Sequence, residues 1–431
     1  MVSQLIFSCL VLVALAGFGI NSGKLVRNIR MGRPVNRRDQ GWRRLGVMLR
    51  VAFGQSKMNV HIVPAMLHLI VYIGFLVVNI EVLEILLDGI LGKHRVFHGF
   101  GLYYDLLIGS FEVFAILVWL ACIAFLIRRN IYRIKRFNGI EMNNGAKGDA
   151  NAILIMEVLL MSAFLLMNAA DFKLQLLGDA HYPLAGTFPV SRNLLALLPE
   201  TAGSLRIIER ICWWFHITGI LIFLNYLPYS KHMHIFLAFP NTFFSKLGAM
   251  GALNNMDSIT NEVKSALIPT YMPVEMEPSS FGARDVADLS WVNLLNAYSC
   301  TQCGRCTAAC PANLTGKILS PRKVMMDTRQ RSSELGEAVS RNGKGYHDGK
   351  HLLDDYISRE EIWACTSCNA CVQACPVNID PLSIILELRR YVVMEESAAP
   401  AALNAVMGNI ENNGAPWKFS PADRFNWADD E

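Results

Sequence analysis

The residues with the clearest chemistry are eight cysteines in the C-terminal third of the chain. They form two copies of the pattern Cys-x-x-Cys-x-x-Cys-x-x-x-Cys-Pro, closed by Pro311 and Pro376. The first copy contains Cys300, Cys303, Cys306 and Cys310, and the second contains Cys365, Cys368, Cys371 and Cys375. Closely spaced thiolates are soft ligands that bind iron or zinc. Two copies of one long pattern argue against chance and indicate metal centres held by sulfur.

The spacing predicts two [4Fe–4S] clusters that exchange their fourth ligands. The first three cysteines of a motif converge on one cluster from one tight loop, and the cysteine before the proline reaches the other cluster. Cluster 1 is therefore assigned to Cys300, Cys303, Cys306 and Cys375, and cluster 2 to Cys365, Cys368, Cys371 and Cys310. Structural zinc sites use Cys-x-x-Cys pairs instead of triplets, which disfavours zinc. Four disulfides are disfavoured by the tight spacing, and thiolate clusters favour a reducing compartment.

The apolar excess of the sequence lies before about residue 240. Hydrophobic residues make up 52% of the 431 residues, and the mean hydropathy is +0.30. Five apolar runs are near the roughly 20 residues that a helix needs to span a membrane. These runs are residues 2–20, 61–87, 106–127, 152–170 and 207–227. The other three cysteines, Cys9, Cys122 and Cys212, fall within or at the edge of such runs and are expected to be buried apolar side chains.

Basic residues predict the orientation of these helices. Nine Lys or Arg and only one acid, Asp39, occur between residues 24 and 50, and a second basic group follows the third run. The positive-inside rule places both loops in the cytoplasm and the N-terminus outside. Five spans then return the chain to the cytoplasm at Lys231, on the side that the thiolates require. We expect an inner (cytoplasmic) membrane protein in contact with membrane lipid. The net charge of +4 is mild, and no nucleic-acid partner is expected.

Histidines in or beside the apolar runs are candidate haem ligands, because ionisable groups inside a membrane are costly and usually functional. His61 and His68 fall in the second run, His216 falls in the fifth, and His234 follows it. Helical phase places His68 near the face of His61 and returns His234 to the face of His216. A deeper haem b is therefore predicted between His68 and His216, and a second haem between His61 and His234.

Three features limit this haem prediction. Along a straight helix His216 and His234 would stand about 27 Å apart, so a bend at Pro228 is expected. His232 falls on nearly the opposite face and is therefore not preferred. A solvated interfacial role remains open for His61 and His234, and a core role remains open for His216. The remaining histidines are expected at the surface: His94, His98, His181, His347 and His351.

These motifs together resemble a known group of membrane oxidoreductases. The apolar part, with A-M-L-H-L-I-V-Y-I-G-F and F-H-I-T-G-I, resembles the gamma subunit of respiratory nitrate reductase and the membrane subunit of heterodisulfide reductase. The cysteine part resembles the iron–sulfur subunit of heterodisulfide reductase. The fusion is similar to membrane iron–sulfur oxidoreductases that connect electron-transfer flavoproteins to quinone. The resemblance implies haem ligands at His68, His216 and His234, whereas His61 departs from the family's wider spacing on helix two.

The expected fold class is all-α, with a five-helix transmembrane bundle followed by an α-helical dicluster ferredoxin domain. Residues 1–240 are predicted to form the cytochrome b-like membrane domain and 241–285 a linker. Residues 286–395 are predicted to form the two-cluster domain and 396–431 an extended tail that docks a partner. Relatives often carry C-C-G repeats that this sequence lacks, so the resemblance implies a separate cysteine-rich subunit.

The sequence favours a membrane-bound electron-transfer subunit of a quinone-linked oxidoreductase. Electrons would pass between a cytoplasmic partner, such as an electron-transfer flavoprotein, and menaquinone or ubiquinone, through two [4Fe–4S] clusters and one or two b haems. Lys231 and His232 are quinone-site candidates by position alone. The alternatives are a non-catalytic membrane anchor and electron relay without its own quinone site, and a redox sensor. No glycine-rich nucleotide fingerprint occurs, so no flavin or nicotinamide is expected on this chain.

Overall fold

The computed structural model describes residues 1–139, 141–274, 280–343 and 345–429. Helices and short turns make up the ordered elements of these residues, and no β-strand occurs among them. The helices of the N-terminal part are α1 Val2–Ile29, α2 Gly41–Met48, α3 Ile62–Leu91, α4 Leu102–Asn130, α5 Asn144–Leu176, α6 Ala202–Tyr226, α7 His234–Phe243 and α8 Asp257–Leu267. Those of the C-terminal part are α9 Trp291–Ser299, α10 Arg305–Ala308, α11 Pro311–Leu314, α12 Pro321–Asn342, α13 Leu352–Asp355, α14 Arg359–Trp363, α15 Ala370–Ala374, α16 Pro381–Met394, α17 Ala401–Asn413 and α18 Asn426–Asp429.

Five of these helices, α1, α3, α4, α5 and α6, are long and apolar enough to cross a membrane. This confirms the all-α fold class with five membrane helices. Several helices extend beyond the apolar runs, and the end of α1 packs on the C-terminal part. At the end of α1, for example, Asn28 donates a hydrogen bond to the hydroxyl of Tyr298 on α9 at 3.0 Å.

The five spanning helices close into a ring. Each packs against its neighbours in the order α1, α3, α4, α5, α6 and back to α1. Aromatic side chains fill much of the interior of this helix ring. The aromatic groups of Phe7 on α1 and Trp213 on α6, for example, have centroids 5.3 Å apart. Because lipid offers no hydrophobic driving force between helices, this close packing is what holds such a bundle together.

The two-cluster domain sits on one end of this ring, which we call the ferredoxin-side end. The ferredoxin-side end comprises the last residues of α1, α4 and α6 and the first residues of α3 and α5. Here α9 packs on α1 and α7, and α12 packs on α1. The opposite end, where α3 and α5 finish, is called the far end.

Two expectations about local structure are wrong. The residues after 396 are not simply extended, because α17 covers Ala401–Asn413. Its Ala, Leu and Met residues favour a helix, and Gly414 ends it at a φ of 65°, which glycine adopts without strain. The helical phase that relates His234 to His216 also does not apply, because the bend expected at Pro228 is a complete break in the fifth membrane helix. That helix stops at Tyr226, and two short 3-10 turns around Pro228 separate it from α7, since proline removes a helical donor.

Candidate functional site

Four cysteines from both motifs line one enclosed cavity. They are Cys300, Cys303, Cys306 and Cys375. The loop from Cys300 to Cys306 turns sharply, with positive φ angles of 57° at Gln302 and 75° at Gly304. A side chain at Gly304 would have its Cβ 2.6 Å from the Arg322 guanidinium, so only glycine fits there. The amide of Gln302 donates to the Cys300 sulfur at 3.4 Å, and that of Ile379 donates to the Cys375 sulfur at 3.3 Å.

The other four cysteines form a second group of the same design. Cys310 and Cys368 lie within electrostatic range of Cys365, and Cys310 also lies within range of Cys371. The loop from Cys365 to Cys371 repeats the shape of the loop in the first motif, with positive φ angles of 55° at Ser367 and 60° at Asn369. Cys371 in turn lies within range of Cys306, so the two groups are neighbours. Cys368 is exposed, and this group therefore faces solvent.

Two properties of these thiols bear on the metal that they could hold: their pKa values and their spacing. Burial raises the pKa of Cys300 to about 11 and that of Cys375 to about 12, so both stay protonated at neutral pH unless a metal displaces the proton. Across the part of the chain that the structure describes, no three His, Cys, Asp or Glu side chains converge as closely as a single ion requires. Thiolates on a four-iron cluster stand farther apart because each binds a different iron.

Three of the candidate haem ligands share one arrangement of their ring nitrogens. Nδ1 of His216 donates to the Leu160 carbonyl oxygen at 2.9 Å, and its buried Nε2 has no partner among the described residues. Nδ1 of His68 is 3.2 Å from Gln55 Oε1, and Nδ1 of His234 donates to the Lys231 carbonyl oxygen at 3.1 Å. Metal-bound histidines are typically held in this way through the other nitrogen. The residues present therefore fit axial haem ligation through Nε2.

The structure brings together a different set of histidines from the one that helical phase predicts. His234 lies close enough to His68 for its charge to act on that ring, and His232 stands 5.5 Å from His234 between ring centroids. Burial lowers the pKa of His232 to about 3, so its ring is neutral at pH 7. The turns around Pro228 carry His234 across the ferredoxin-side end of the helix ring. The imidazole of His234 therefore lies beside α3.

His61 and His216 stand apart from this group. His61 is exposed at the residue before α3, and its ring has no hydrogen bond within the described ranges. His216 is 1% exposed and packs against Phe164 of α5, with ring centroids 5.6 Å apart. The described contacts of His216 include no other histidine. The pairings His68–His216 and His61–His234 are therefore not seen as contacts.

Lys231 connects the histidine group to the first cysteine cavity. Its carbonyl oxygen accepts from His234, while its ammonium group donates to Gln302 Oε1 at 2.9 Å. Gln302 lines the cavity of the first cysteine group. Arg305, which also lines that cavity, lies close enough to His68 for its charge to act on the ring. Burial lowers the pKa of Lys231 to about 8. Since its ammonium group is already engaged, Lys231 is a structural link more than a quinone ligand.

Two arginines hold the two-cluster domain on the ring: Arg322 is buried and Arg33 is half-buried. Arg322 is 1% exposed, and its Nε donates to Glu141, in the loop before α5, at 2.8 Å. Burial raises the pKa of Glu141, but hydrogen bonds from Ser320 and Arg322 outweigh it and hold that pKa below its ordinary value. Arg33 donates to Ser280 Oγ at 2.9 Å and to the Gly282 carbonyl oxygen at 3.0 Å. No one-dimensional signal distinguishes these arginines from their solvated neighbours.

The far end of the ring contains a dense network of buried polar side chains that bond to one another. Arg95 donates to Asp171 at 2.6 Å, to the Tyr104 hydroxyl at 3.0 Å and to Asn168 at 3.0 Å. The Tyr104 hydroxyl in turn donates to Glu84 at 3.0 Å. Glu84 lies inside an apolar run and Asp171 directly follows one, and these charges are the sequence signal that could have found the network.

The network extends to a histidine that was expected at the surface. His94 is packed inside, with Nε2 3.2 Å from Asp171 Oδ2 and its ring 4.7 Å from that of Tyr182. One carboxylate oxygen of Glu81 is not satisfied by this network, because it is buried without a partner among the described residues.

Comparisons with known proteins agree with this architecture. The 4Fe-4S dicluster domain family matches residues 299–379. The probable iron-sulfur-binding oxidoreductase FadF of Bacillus subtilis is 29% identical over 408 residues, which are 88% of this chain and 54% of that protein. The EtfAB:quinone oxidoreductase of Syntrophomonas wolfei is 27% identical over 421 residues, covering 92% of this chain and 55% of that protein.

Other similarities cover less of this chain. A probable membrane-anchored ferredoxin of Chromohalobacter salexigens is 34% identical over 164 residues, which are 35% of this chain and 24% of that protein. Heterodisulfide reductase subunits C are also similar. The chain spans about half the length of the first two relatives. No solved structure matches. The chain is therefore a homologue of iron–sulfur oxidoreductases, a multi-pass membrane protein with a 4Fe-4S dicluster domain in its C-terminal part.

Proposed function

We propose that this chain is the membrane-bound electron-transfer subunit of a quinone-linked oxidoreductase. It passes electrons between a cytoplasmic redox partner and the quinone pool in the inner membrane, with the two-cluster domain on the cytoplasmic side and the N-terminus outside. A [4Fe–4S] cluster and a b-type haem, when bound, each take up and release single electrons. The observation that carries the proposal is the bonded path from the first cysteine cavity to His234 through Gln302 and Lys231.

The cysteines supply the cytoplasmic half of this path. Cluster 1 is proposed to bind Cys300, Cys303, Cys306 and Cys375, next to the ring. Cluster 2 is proposed to bind Cys310, Cys365, Cys368 and Cys371, where the exposed Cys368 makes it the entry or exit point for a partner. Candidate partners are an electron-transfer flavoprotein, since a relative is named for EtfAB, and a cysteine-rich protein with C-C-G repeats.

The histidines supply the membrane half. We propose His68 and His234 as the ligand pair of one haem b, in place of the pairs that helical phase suggests. Both rings are anchored through Nδ1, which leaves Nε2 free to bind iron. His216 is proposed as a ligand of a second haem, because its buried Nε2 has no other partner in the described residues. His61 is not proposed as a ligand, since its exposed ring before α3 has no hydrogen bond within the described residues.

The quinone is proposed to bind at the ferredoxin-side end, beside His232. The ring of this histidine is largely buried and neutral and carries no hydrogen bond within the described residues, so it can donate to or accept from a quinone oxygen. Its ring lies 5.3 Å from that of Phe223, a flat apolar neighbour suited to a quinone ring.

Reduced-minus-oxidised absorption spectra of the purified protein test this function. We expect b-haem bands beside the broad cluster absorbance, and a change in those bands when a quinol analogue is added. A protein that shows clusters but no haem bands and no response to the analogue would contradict the proposal. Haem bands that ignore the analogue would favour the anchor-and-relay alternative.

A further inference from the structure

A basic pocket of about 480 Å³ opens beside the ferredoxin-side end of the ring. It lies between the start of α2 and the segment after α7, residues 246–254. Its cationic lining residues are Arg37, Arg43, Arg44 and Lys246, and its one lining carboxylate is that of Asp39. The pocket therefore carries a clear excess of positive charge, and it belongs to none of the cysteine or histidine groups.

The only lining carboxylate is already neutralised. Arg44 is 1% exposed and donates to Asp39 Oδ1 at 2.7 Å and to the Ser245 carbonyl oxygen at 2.9 Å. Asp380 acts on the pocket from α16, where it caps the helix by accepting from the Ser383 amide. Neither carboxylate forms an ion pair with Arg37 among the described residues.

Arg37 is a pocket cation that forms no ion pair among the described residues. It is partly buried and makes no hydrogen bond or ion pair within the described ranges. Burial, together with the nearby charge of Arg44, lowers the pKa of Arg37. A partly buried guanidinium in a positive surrounding is stabilised by an anion, and a phosphate matches its planar pair of donors.

The N-terminus of α2 borders the same pocket, which Gln40 and Arg43 line. Gln40 precedes this eight-residue helix in the left-handed conformation, without a side-chain cap, and no acidic residue occupies the first turn. Uncapped amides at a helix N-terminus attract anions. Arg43, in that turn, is tied to the pocket rim by a hydrogen bond to the Leu247 carbonyl oxygen at 3.1 Å.

The location identifies the source of the anion. The pocket is built from the connection between α1 and α3, immediately beyond two membrane helices. Trp42, beside Arg43, is 86% exposed, and tryptophan is enriched where protein meets lipid headgroups. Basic pockets at the cytoplasmic ends of membrane helices bind anionic headgroups. We propose that this pocket binds the phosphate of an anionic phospholipid, with Arg37, Arg43 and the first amides of α2 as its contacts.

Native mass spectrometry of the full chain tests the proposal. Delipidated protein in neutral detergent would be incubated with phosphatidylglycerol or phosphatidylcholine vesicles, and the retained lipid would be counted. We expect phosphatidylglycerol to be retained about tenfold or more over phosphatidylcholine, and the double variant Arg37→Gln, Arg43→Gln to lose that preference. Arg38→Gln is the matched control, since Arg38 is exposed outside the pocket and should behave as the wild type.

Three outcomes would overturn the proposal. The first is equal retention of both lipids by the wild type. The second is an unchanged preference in the double variant, whose unfolding temperature is measured alongside to show that it folds. The third is displacement of the lipid by millimolar inorganic phosphate with the same loss in the double variant, which would make this a free-phosphate site.

Discussion

The two ends of the helix ring treat their polar side chains in opposite ways. At the far end, Arg95, Asp171, Tyr104 and Asn168 are buried and satisfy one another within a single network. At the ferredoxin-side end, the histidines are anchored through one nitrogen and the other is left free. Buried polar groups are expensive unless they are paired. The far-end network is thus explained by stability alone, whereas an imidazole held only through Nδ1 keeps Nε2 available for a ligand.

The largest expected effect concerns the exchanged cysteine ligands of the two-cluster domain, which sits on the ferredoxin-side end. Cys375→Ser should abolish cluster 1 and leave cluster 2, because Cys375 lines the cavity of the first motif although it belongs to the second. Iron content should fall from about eight to about four atoms per chain. Iron analysis with electron paramagnetic resonance checks this. Cys9→Ser, outside both motifs, is the control, and loss of cluster 2 alone would contradict the exchanged assignment.

The next largest effect is expected from the histidines whose Nε2 is free to bind iron. His234→Ala and His68→Ala should each remove the same b-haem bands, because both rings bind one iron in the proposed pair. Cluster signals should persist in both variants. His61→Ala should leave the bands unchanged, since that ring is exposed and unanchored. Absorption spectra of the purified variants decide the point, and loss of different bands in His68→Ala and His234→Ala would restore separate pairs.

The far end should respond in stability and not in cofactor content. Asp171→Asn leaves the buried Arg95 without its charge partner and should lower the free energy of unfolding by about 3–5 kcal/mol. Haem and cluster spectra of the folded protein should not change. Thermal unfolding measured beside the spectra separates the two. A loss of haem bands at normal stability would show that the far end also serves a cofactor.

The smallest effect lies in the link between the two cofactor regions. Gln302→Ala removes the hydrogen bond from Lys231 and should cost about 0.5–1.5 kcal/mol of stability. Both clusters should remain, while electron transfer between cluster 1 and the haem should slow modestly. Flash-reduction kinetics measure this. A matched substitution at Gln330, whose amide bonds to exposed Glu334, should leave the rate unchanged.

Local patterns in the sequence predicted much of the architecture. The apolar runs predicted the five membrane helices, and the cysteine spacing predicted the dicluster domain. Both signals depend on near neighbours along the chain. The ends of elements were less visible. A bend was expected at Pro228, but the 3-10 turns there break the helix completely and place His234 beside α3.

What the sequence missed depends on contacts between distant segments. Arg322 and Glu141 are far apart in the chain, yet they form a buried ion pair at 2.7 Å that docks the two regions. Arg44 looks like its solvated neighbours in the basic loop but is buried against Ser245. Only the tertiary structure distinguishes these arginines. The anchoring of Nδ1 at His216 by a carbonyl of α5 is equally invisible before the helices pack.

Stopped-flow reoxidation of the reduced protein by a water-soluble quinone tests the central claim most directly. Cluster and haem absorbance would be followed together in the wild type and in His234→Ala. We predict rapid reoxidation of both clusters in the wild type, and reoxidation slowed at least about tenfold in the variant with its clusters intact. Equal rates in the two proteins would contradict an electron path through the ferredoxin-side histidines.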